Sequence, residues 1–453
     1  MAFHRLPEPN TRGESSRRNL LRGFTIMAQE MPVLPASGQA TVDQEINRGD
    51  VQGWLGRRCR SLLLAKLASL EYGQLEFVDG AFHETFGKTA DAVAQIQVVS
   101  NDFYRRVVTG GALGAAESYL RGEWITDDLV SVFLILARNT ETLNQMDSLG
   151  RKLFTPVNYV RRLATRNSKT GSRKNIHAHY DLGNDFFRLF LDDTMTYSSA
   201  IFPGDESNLK EASIEKYDRI CRKLRLESNH HVVEIGTGWG GFAIHAASNY
   251  GCRVTTTTIS AEQYNYAVAA VEQAGLSDRV DVLCEDYRNL TGEHDRLVSI
   301  EMIEAVGHEF LPDYFEQCSR LLNANGEALI QGITIPDQRY EQYRKSIDFI
   351  QRYIFPGGCL PSLGSITDAV KRKTDLQLIS LDDYASHYAK TLAMWRESFL
   401  ARLPEVRDLG LDDRFIRMWD YYLAYCEAGF RERMTGLVHL HFVKPNVRDA
   451  DLS

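Results

Sequence analysis

The sequence predicts an α/β protein, with a mostly parallel sheet covered by helices on both faces and a smaller α+β domain before it. Three observations support this class. From about residue 209 onward, segments of helical periodicity alternate with short apolar strands. A glycine-rich turn, Gly236–Gly241, joins one of these strands to a helix. The chain has 453 residues, enough for two domains with sizeable cores. Repeated β-α units with short turns imply a parallel sheet.

The composition is that of a soluble globular protein, with 43% hydrophobic and 25% charged residues. A net charge of -8 argues against a nucleic-acid partner, because phosphate neutralisation needs clustered excess Lys and Arg. The seven cysteines include no C-x-x-C pair, so we interpret them as reduced thiols. No apolar run approaches the roughly 18 residues of a spanning helix, and no signal-peptide core is evident. We therefore expect a cytoplasmic protein whose membrane contact is peripheral.

The N-terminal third divides into a tail and a small domain. Residues 1–40 are rich in Arg, Pro, Ser and Asn without apolar periodicity, which predicts a flexible tail. Residues 41–145 are predicted to form the small α+β domain. Its expected elements are a helix within 51–70, strands at 74–78 and 92–99, and helices containing 103–108, 112–120 and 129–138.

Residues 146–175 are predicted to be a basic linker. Eight Lys and Arg side chains lie between 151 and 174. Such a run is usually a solvated linker. The alternative is a hinge that contacts anionic phospholipid head groups, where each Lys or Arg near the surface contributes about 1 kcal/mol.

Residues 176–453 carry the repeated β-α pattern. A helix from about 209 to 224 precedes the strand of the glycine turn. Ser260 with Gln263 forms a capping box that opens the next helix, which is expected to end near Gly275. Ligands of such sheets bind at the carboxyl ends of the strands. Further strands are expected at 280–283, 297–300, 328–333, 376–381 and 437–443.

The stretch HVVEIGTGWGGF, residues 231–242, predicts a ligand-binding strand-turn-helix. Glycines allow positive φ and let a ligand approach the backbone closely, and the following helix presents unpaired N–H groups. Gly236, Gly238 and Gly241 also fit the dinucleotide fingerprint, which predicts an acid about 20 residues further on. The next strand, VTTTT, has none. The acid instead precedes the turn at Glu234, an order typical of S-adenosylmethionine-dependent methyltransferases.

Seven motifs, in order, resemble the cyclopropane-fatty-acyl-phospholipid synthase family. They are AHYDLGNDFF (178–187), MTYSSAIF (195–202), EIGTGWGG (234–241), TTISAEQ (257–263), IEMIEAVG (300–307), YIFPGGCLPS (353–362) and YYLAYCEAGF (421–430). The similarity is dense over about residues 172–443 and loose before them. It implies a class I methyltransferase-type, Rossmann-like fold with a seven-stranded sheet in a catalytic domain.

The resemblance also implies the reaction. A methyl group moves from S-adenosylmethionine to a cis double bond of a phospholipid acyl chain, which creates a carbocation, and loss of a proton from the new methyl closes a cyclopropane ring. The expected partners are unsaturated phospholipid acyl chains at a membrane surface. The family further suggests a homodimer, with the first domain presenting lipid or dimerising.

The resemblance also implies a site for the S-adenosylmethionine cofactor. Read without the family, Asp286 is equally a strand-end residue that caps a turn, and Tyr197 a core aromatic. The implied cofactor-binding residues are Tyr197, Ser198, Glu234, Gly236, Gly238, Gly240, Thr258, Gln263, Asp286 and Tyr287.

Family members hold a bicarbonate ion that accepts the proton, and its five ligand positions map onto Ser199, Glu304, Gln331, Ile333 and Tyr388. Two of them depart from the pattern, because Ser199 replaces a Cys and Gln331 replaces a His. Ser and Gln still donate hydrogen bonds to an oxyanion, but Gln cannot be cationic. Either bicarbonate binds through neutral donors, or Glu304 itself acts as the base because burial raises its pKa. A repositioned base would remove a different proton and give a methylene- or methyl-branched chain.

Aromatic residues in the second half are candidates for the walls of an apolar slot. An aromatic face near a desolvated cation stabilises it by about 2 kcal/mol, although most such rings are ordinary core. Tyr388 is the one assigned to the site. The others are Phe186, Phe187, Tyr314, Phe315, Tyr353, Phe355, Trp395, Tyr421, Tyr422 and Tyr425.

Several other residues are candidates for catalysis or metal binding, and for each a structural role is the alternative. Cys426 matches a cysteine considered catalytic in the family, but a thiol has no obvious step here, and a packing role is favoured. Glu301 and His308 match no catalytic position and are expected at the surface or in turns. His177 and His179 have no metal-ligand partner at suitable spacing, so no metal is expected. A non-catalytic descendant that binds lipid or cofactor without turnover is the alternative of another class.

Overall fold

The computed structural model describes residues 53–145 and 182–448. These residues lie in one unit, Val51–Ser453. The predicted tail, the basic linker, and His177 and His179 lie outside the described residues. The proposed domain boundaries therefore stay predictions.

The N-terminal part contains a four-stranded sheet in the order β2-β1-β3-β4. Strand β1 pairs antiparallel with β2 and parallel with β3. Its elements are α1 Gly53–Leu67, β1 Gln74–Asp79, β2 Phe82–Phe86, β3 Val93–Val98, α2 Asp102–Leu120, β4 Trp124–Ile125, α3 Leu129–Arg138 and α4 Thr140–Gln145.

Two details differ from the expected elements. The two helices expected at 103–108 and 112–120 are halves of one helix, α2, which is interrupted at Gly111 by a φ of 57° and a ψ of -138°. Strand β2 was not expected, because its sequence FHETF buries only Phe86 and carries three exposed residues. It forms as the partner of β1 across a tight turn at Gly80, whose φ is 63°.

The C-terminal part is built on a seven-stranded sheet in the order β10-β11-β9-β8-β5-β6-β7. The strands from β7 across to β9 are parallel, and β11 is antiparallel to both of its neighbours. The bounds are α5 Asn184–Phe187, α6 Leu209–Lys223, β5 His231–Ile235, α7 Gly241–Tyr250, β6 Arg253–Thr257, α8 Ala261–Gln273, β7 Val280–Leu283, β8 His294–Ile300, α9 Leu311–Arg320, β9 Leu322–Thr334, α10 Asp337–Tyr343, α11 Leu363–Lys373, β10 Gln377–Asp383, α12 Ala385–Ala401, α13 Leu403–Asp408, α14 Asp413–Arg431 and β11 Gly436–Val443.

Helices cover both faces of this sheet. Successive strand residues point to opposite faces, and here they enter different cores. Val232 packs with Ile220 of α6 and Phe242 of α7, whereas Val233 packs with Phe315 of α9. The predicted fold class is confirmed.

A third core joins the small sheet to helices α12 and α14. The Tyr119 hydroxyl donates to Asp420 at 3.1 Å, and Arg396 Nε donates to the same carboxylate at 2.6 Å. The rings of Phe133 and Tyr421 lie edge to face at 4.8 Å. Helices α2 and α3 of the N-terminal part therefore pack against α14, which in turn is bonded to α12, the helix that carries Tyr388.

Candidate active site

The glycine turn lies between the carboxyl ends of β5 and β6. The N–H of Gly236 donates to the Thr257 carbonyl at 3.0 Å, and φ is 101° at Gly236 and 53° at Gly238. A Cβ at Gly238 would meet no atom within 4 Å, whereas one at Gly236 would lie 3.3 Å from the Met302 side chain. The turn is thus open at Gly238 and closed toward β8, and Gly240 caps α7 with a φ of 91°.

Glu234 supports this turn from within the sheet. Its carboxyl is buried and accepts from the Thr256 hydroxyl at 2.6 Å, and that hydroxyl lies 2.7 Å from the Thr237 hydroxyl. Burial raises the pKa of Glu234 to about 8, opposed by the Thr256 hydrogen bond and by Lys216.

The next predicted cofactor residues follow β6 and β7. Thr258 donates to Gln263 at 2.9 Å, and both are buried. Asp286 accepts from the Arg288 backbone N–H at 3.0 Å and from its guanidinium at 2.6 Å, so it caps the turn as its local pattern allowed. Tyr287 packs edge to face on Tyr314 at 5.6 Å.

Tyr197 and Ser198 approach from the loop before α6. The Tyr197 hydroxyl lies 3.0 Å from that of Tyr422, and its ring is 5.3 Å from Trp395. Ser198 accepts from Lys216 Nζ at 2.6 Å. Lys216 is fully buried. Burial lowers its pKa to about 8, and the charges of Glu301, Asp192 and Glu234 oppose that shift.

Three of the five predicted anion ligands converge on Glu301. The Ser199 backbone N–H donates to Glu301 Oε1 at 2.8 Å, Gln331 Nε2 donates to the same oxygen at 2.7 Å, and the Tyr388 hydroxyl donates to Oε2 at 2.7 Å. The interpretation of Glu301 as a surface or turn residue is therefore wrong, because a half-buried carboxylate sits among the ligand positions.

The backbone explains how Glu301 reaches this position. It follows the last residue of β8 and has a φ of 50°. Its N–H still donates to the Gln331 carbonyl at 2.9 Å, so the residue stays paired to β9. Non-glycine residues are uncommon at positive φ, and nothing in the local sequence signals one here.

Glu304 holds the remaining ligand position together with Ile333, whose backbone N–H donates to Glu304 Oε1. Its other oxygen, Oε2, is buried without a hydrogen-bond partner among the described residues. Burial raises the pKa of Glu304 to about 8, and the charge of Glu301 raises it further. Glu304 is thus a neutral carboxyl near pH 7.

Burial also raises the pKa of Glu301, but four interactions oppose that shift. They are the hydrogen bonds from Tyr388, Ser199 and Gln331 and the charge of Lys216. Two carboxyls whose surroundings differ in this way separate into a charged and a neutral partner. Glu301, with three donors and the charge of Lys216, is the partner whose charged form these interactions stabilise.

His439 fixes the orientation of Gln331. Its Nε2 lies 2.8 Å from Gln331 Oε1, and both residues are fully buried. Burial holds the pKa of His439 well below its usual value, so the ring is neutral. A donated Nε2–H leaves the amide nitrogen of Gln331 facing Glu301.

Cys426 and His308 lie in different surroundings, and the packing role of Cys426 stays a prediction. Cys426 is half-buried beside the core, and burial raises its pKa well above the usual range, so it is a thiol rather than a thiolate. His308 Nδ1 lies 2.6 Å from the Tyr340 hydroxyl in a short turn. Across the described ranges no cluster of three or more His, Cys, Asp or Glu side chains is arranged to hold a metal.

The aromatic candidates divide between two cores. Tyr314 and Phe315 pack with Phe442 against the sheet. The ring of Tyr388 stacks on Phe430 at 4.6 Å. A cluster beside Tyr197 contains Phe187, Phe190, Phe355, Trp395, Trp419 and Tyr422.

The site therefore joins an open glycine turn to two carboxyls through Met302, the neighbour of Glu301. The profile of the mycolic acid cyclopropane synthetase family matches residues 167–440. The chain belongs to this family. As a family member it is an S-adenosylmethionine-dependent methyltransferase, and the open turn at Gly238 fits that cofactor.

Relatives and solved structures of the family agree. Tuberculostearic acid methyltransferase UfaA1 of Mycobacterium tuberculosis is 40% identical over 72% of this chain and 78% of its own. Cyclopropane-fatty-acyl-phospholipid synthase of Escherichia coli is 38% identical over 76% and 86%. The cyclopropane synthase MmaA2 of M. tuberculosis superposes with a TM-score of 0.56 at 29% identity, over 60% of this chain and 98% of its own. CmaA1, solved with SAH and CTAB, also gives 0.56 at 32% identity, with the same coverage.

Gly238→Ala is expected to weaken S-adenosylhomocysteine binding about tenfold or more, because its Cβ would enter the open side of the turn. Isothermal titration calorimetry measures the affinity. The matched control is Gly275→Ala, which also has a positive φ and an open Cβ position. Both variants lose about 1 to 2 kcal/mol to backbone strain, but Gly275→Ala should keep its affinity. Equal affinities in the two variants would contradict a cofactor role for the turn.

Glu304→Gln should stabilise this family member increasingly as the pH rises. Its folded-state pKa, about 8, lies above the ordinary 4.5, so wild-type stability falls as pH rises between these values. Gln copies the neutral form. The gain should be small near pH 5 and reach on the order of a few kcal/mol at about pH 8. Urea denaturation across this pH range measures it, with exposed Glu293→Gln as the control; a pH-independent gain would be contrary to a neutral Glu304.

Proposed function

We propose that the protein transfers a methyl group from S-adenosylmethionine to a cis double bond of a phospholipid acyl chain, and that deprotonation of the resulting carbocation gives a cyclopropane. The observation that carries this proposal is the carboxyl pair, Glu301 and Glu304, flanking the residue that contacts the glycine turn. This reaction needs a base close to the methyl donor, because the carbocation must lose a proton from carbon. Simple methyl transfer to nitrogen does not need a base at that place.

The cofactor supplies an electrophilic methyl when bound. Around it, the glycine turn gives a backbone surface that a nucleoside can approach closely, and Thr258 with Gln263 gives buried polar groups at the end of β6. The ring of Tyr197 lies 5.3 Å from that of Trp395 and 6.4 Å from that of Phe355. Aromatic faces stabilise a desolvated cation by about 2 kcal/mol or more.

A methylene-branched product is the second candidate, and the altered ligand positions favour it. Ser199 and Gln331 donate to Glu301, so a carboxylate of the chain uses donors that the resemblance assigns to a bicarbonate ion. One relative that matches over most of its length is named for tuberculostearic acid and not as a cyclopropane synthase. Both products gain one CH2 group, so mass alone does not separate them.

Purified protein incubated with S-adenosylmethionine and unsaturated phospholipid vesicles should release S-adenosylhomocysteine and yield acyl chains heavier by one CH2 group. Proton NMR of the lipids then identifies the product. Cyclopropane protons upfield of the methyl region support the ring, whereas vinylidene protons support the methylene branch. Absence of S-adenosylhomocysteine release would favour the non-catalytic alternative, and saturated phospholipid is the control substrate.

Contact with an anionic membrane surface is also part of the proposal. Helix α1 exposes Trp54, Leu55 and Leu62, with 69%, 52% and 51% of their surface accessible. Arg57 and Arg58 are exposed on the same helix, and the face thus combines apolar and basic side chains as interfacial helices do. In the described part of the chain, no helix is long and apolar enough to cross a bilayer.

The double variant Trp54→Ser with Leu62→Ser should reduce partitioning onto phosphatidylglycerol vesicles about tenfold or more, because burial of each large apolar side chain contributes about 1.5 to 3 kcal/mol. Vesicle co-sedimentation measures it. Leu381→Ser with Leu409→Ser removes two leucines of similar exposure from other elements and should have little effect. Equal losses in both double variants would count against α1 as the contact. The proposed homodimer is assessed by analytical ultracentrifugation of the same samples.

A further inference from the structure

We propose that Glu301 is the base that accepts the proton, and that its carboxylate takes the place of a diffusible bicarbonate ion. This inference rests on the proposed function and deepens it. Of the five positions that the resemblance assigns to an anion, Ser199, Gln331 and Tyr388 donate to the Glu301 carboxylate, which the chain itself supplies.

The two carboxyls already use most of the hydrogen-bond donors that a second anion would need. The Ser199 N–H and the Tyr388 hydroxyl each have one hydrogen, and both are directed at Glu301. The Ser199 hydroxyl donates to the Ala200 carbonyl at 2.9 Å instead. The Ile333 N–H is used by Glu304. Bicarbonate at this place would need to displace Glu301 from its donors and to lie beside a negative charge.

Charge in the pocket favours Glu301 over Glu304 as the acceptor. A base must be ionised before the reaction, and Glu301 has three donors and faces the buried cation of Lys216. Glu304 has one donor and a bare oxygen, Oε2. A proton on Glu304 removes the repulsion between the two carboxyls, so the pair carries a single negative charge.

The backbone conformation of Glu301 points to function. Its φ of 50° is one that glycine adopts freely and that costs a glutamate energy. Strained residues of this kind cluster at active sites, where the surrounding structure holds them. A purely structural role would be served better by a residue without the strain and without a charge to bury.

The proton balance is the same for either product. The methyl carbon leaves sulfur and bonds to one olefinic carbon, and the other olefinic carbon becomes cationic. The Glu301 carboxylate then takes one proton from the methyl group. The C–H electron pair closes the ring, or forms the methylene double bond after a hydride shift moves the cation to the branching carbon. One proton is released to Glu301 for each methyl transferred, and no redox partner is needed.

The test compares wild type with Glu301→Gln and Glu301→Gly, in buffer depleted of carbon dioxide and in buffer with added bicarbonate. We expect the wild-type rate to be the same in both buffers. Glu301→Gln should lower kcat about a hundredfold or more, the usual size of a general-base contribution. Exposed Glu293→Gln, before the other end of β8, is the matched control and should keep the wild-type rate.

Glu301→Gly opens the site and removes the strain. We expect it to lose activity, to keep its S-adenosylhomocysteine affinity, and to unfold at a temperature equal to or above that of wild type. Formate or bicarbonate should restore part of its rate in a concentration-dependent way, because a small carboxylate can enter the space that Glu301 leaves.

Three outcomes would overturn the inference. They are a wild-type enzyme that needs bicarbonate, a Glu301→Gln variant with an unchanged kcat, and a Glu301→Gly variant that unfolds well below wild type and is not restored by either anion. A wild type that forms no methylated lipid would instead contradict the proposed function itself.

Discussion

The hydrogen bonding of the partly buried Glu301 carboxylate is the constraint on which the rest of the site depends. A carboxylate taken out of water is strongly disfavoured unless hydrogen bonds and an opposite charge compensate it. Here the compensation comes from separate parts of the chain: the loop at Ser199, strand β9 through Gln331, and helix α12 through Tyr388. Lys216 adds the opposite charge from α6. Each donor is useful only if all these elements pack together, so the charge and the tertiary structure specify each other.

Local sequence patterns were sufficient for the sheet and the glycine turn. Alternating strands and helices and the residues of 234–241 act through short-range rules, and the strands of the large sheet lie close to their expected positions. The centre of the site was not predictable in this way. Glu301 reaches its donors through a positive φ that only tertiary contacts maintain, and Lys216 looks like any helical lysine until its burial is known. The resemblance directed attention to Ser199, Gln331 and Tyr388, yet it could not indicate that all three would donate to a neighbouring glutamate.

The small N-terminal sheet is linked physically to this arrangement. Asp420 on α14 accepts from Tyr119 of α2 and from Arg396 of α12. Helix α12 also carries Tyr388, which holds Glu301 Oε2. Packing of the N-terminal part therefore bears on the orientation of the base. Exposed Trp54 and Leu62 lie on the first helix of that same part.

When a side chain replaces a diffusible anion as the base, the protein itself controls both the presence and the position of that base. A bound ion must be captured from solution, whereas a tethered carboxylate is present in every molecule, and its positioning is settled on folding rather than at each turnover. The position of the base is then fixed by the φ of one residue and by three donors. In either product the proton comes from the new methyl group, so the position of the base determines how fast that proton is removed relative to the hydride shift that leads to a branched chain. The same strained backbone that costs stability is thus the feature that would set the product, a trade between stability and activity that functional sites commonly show.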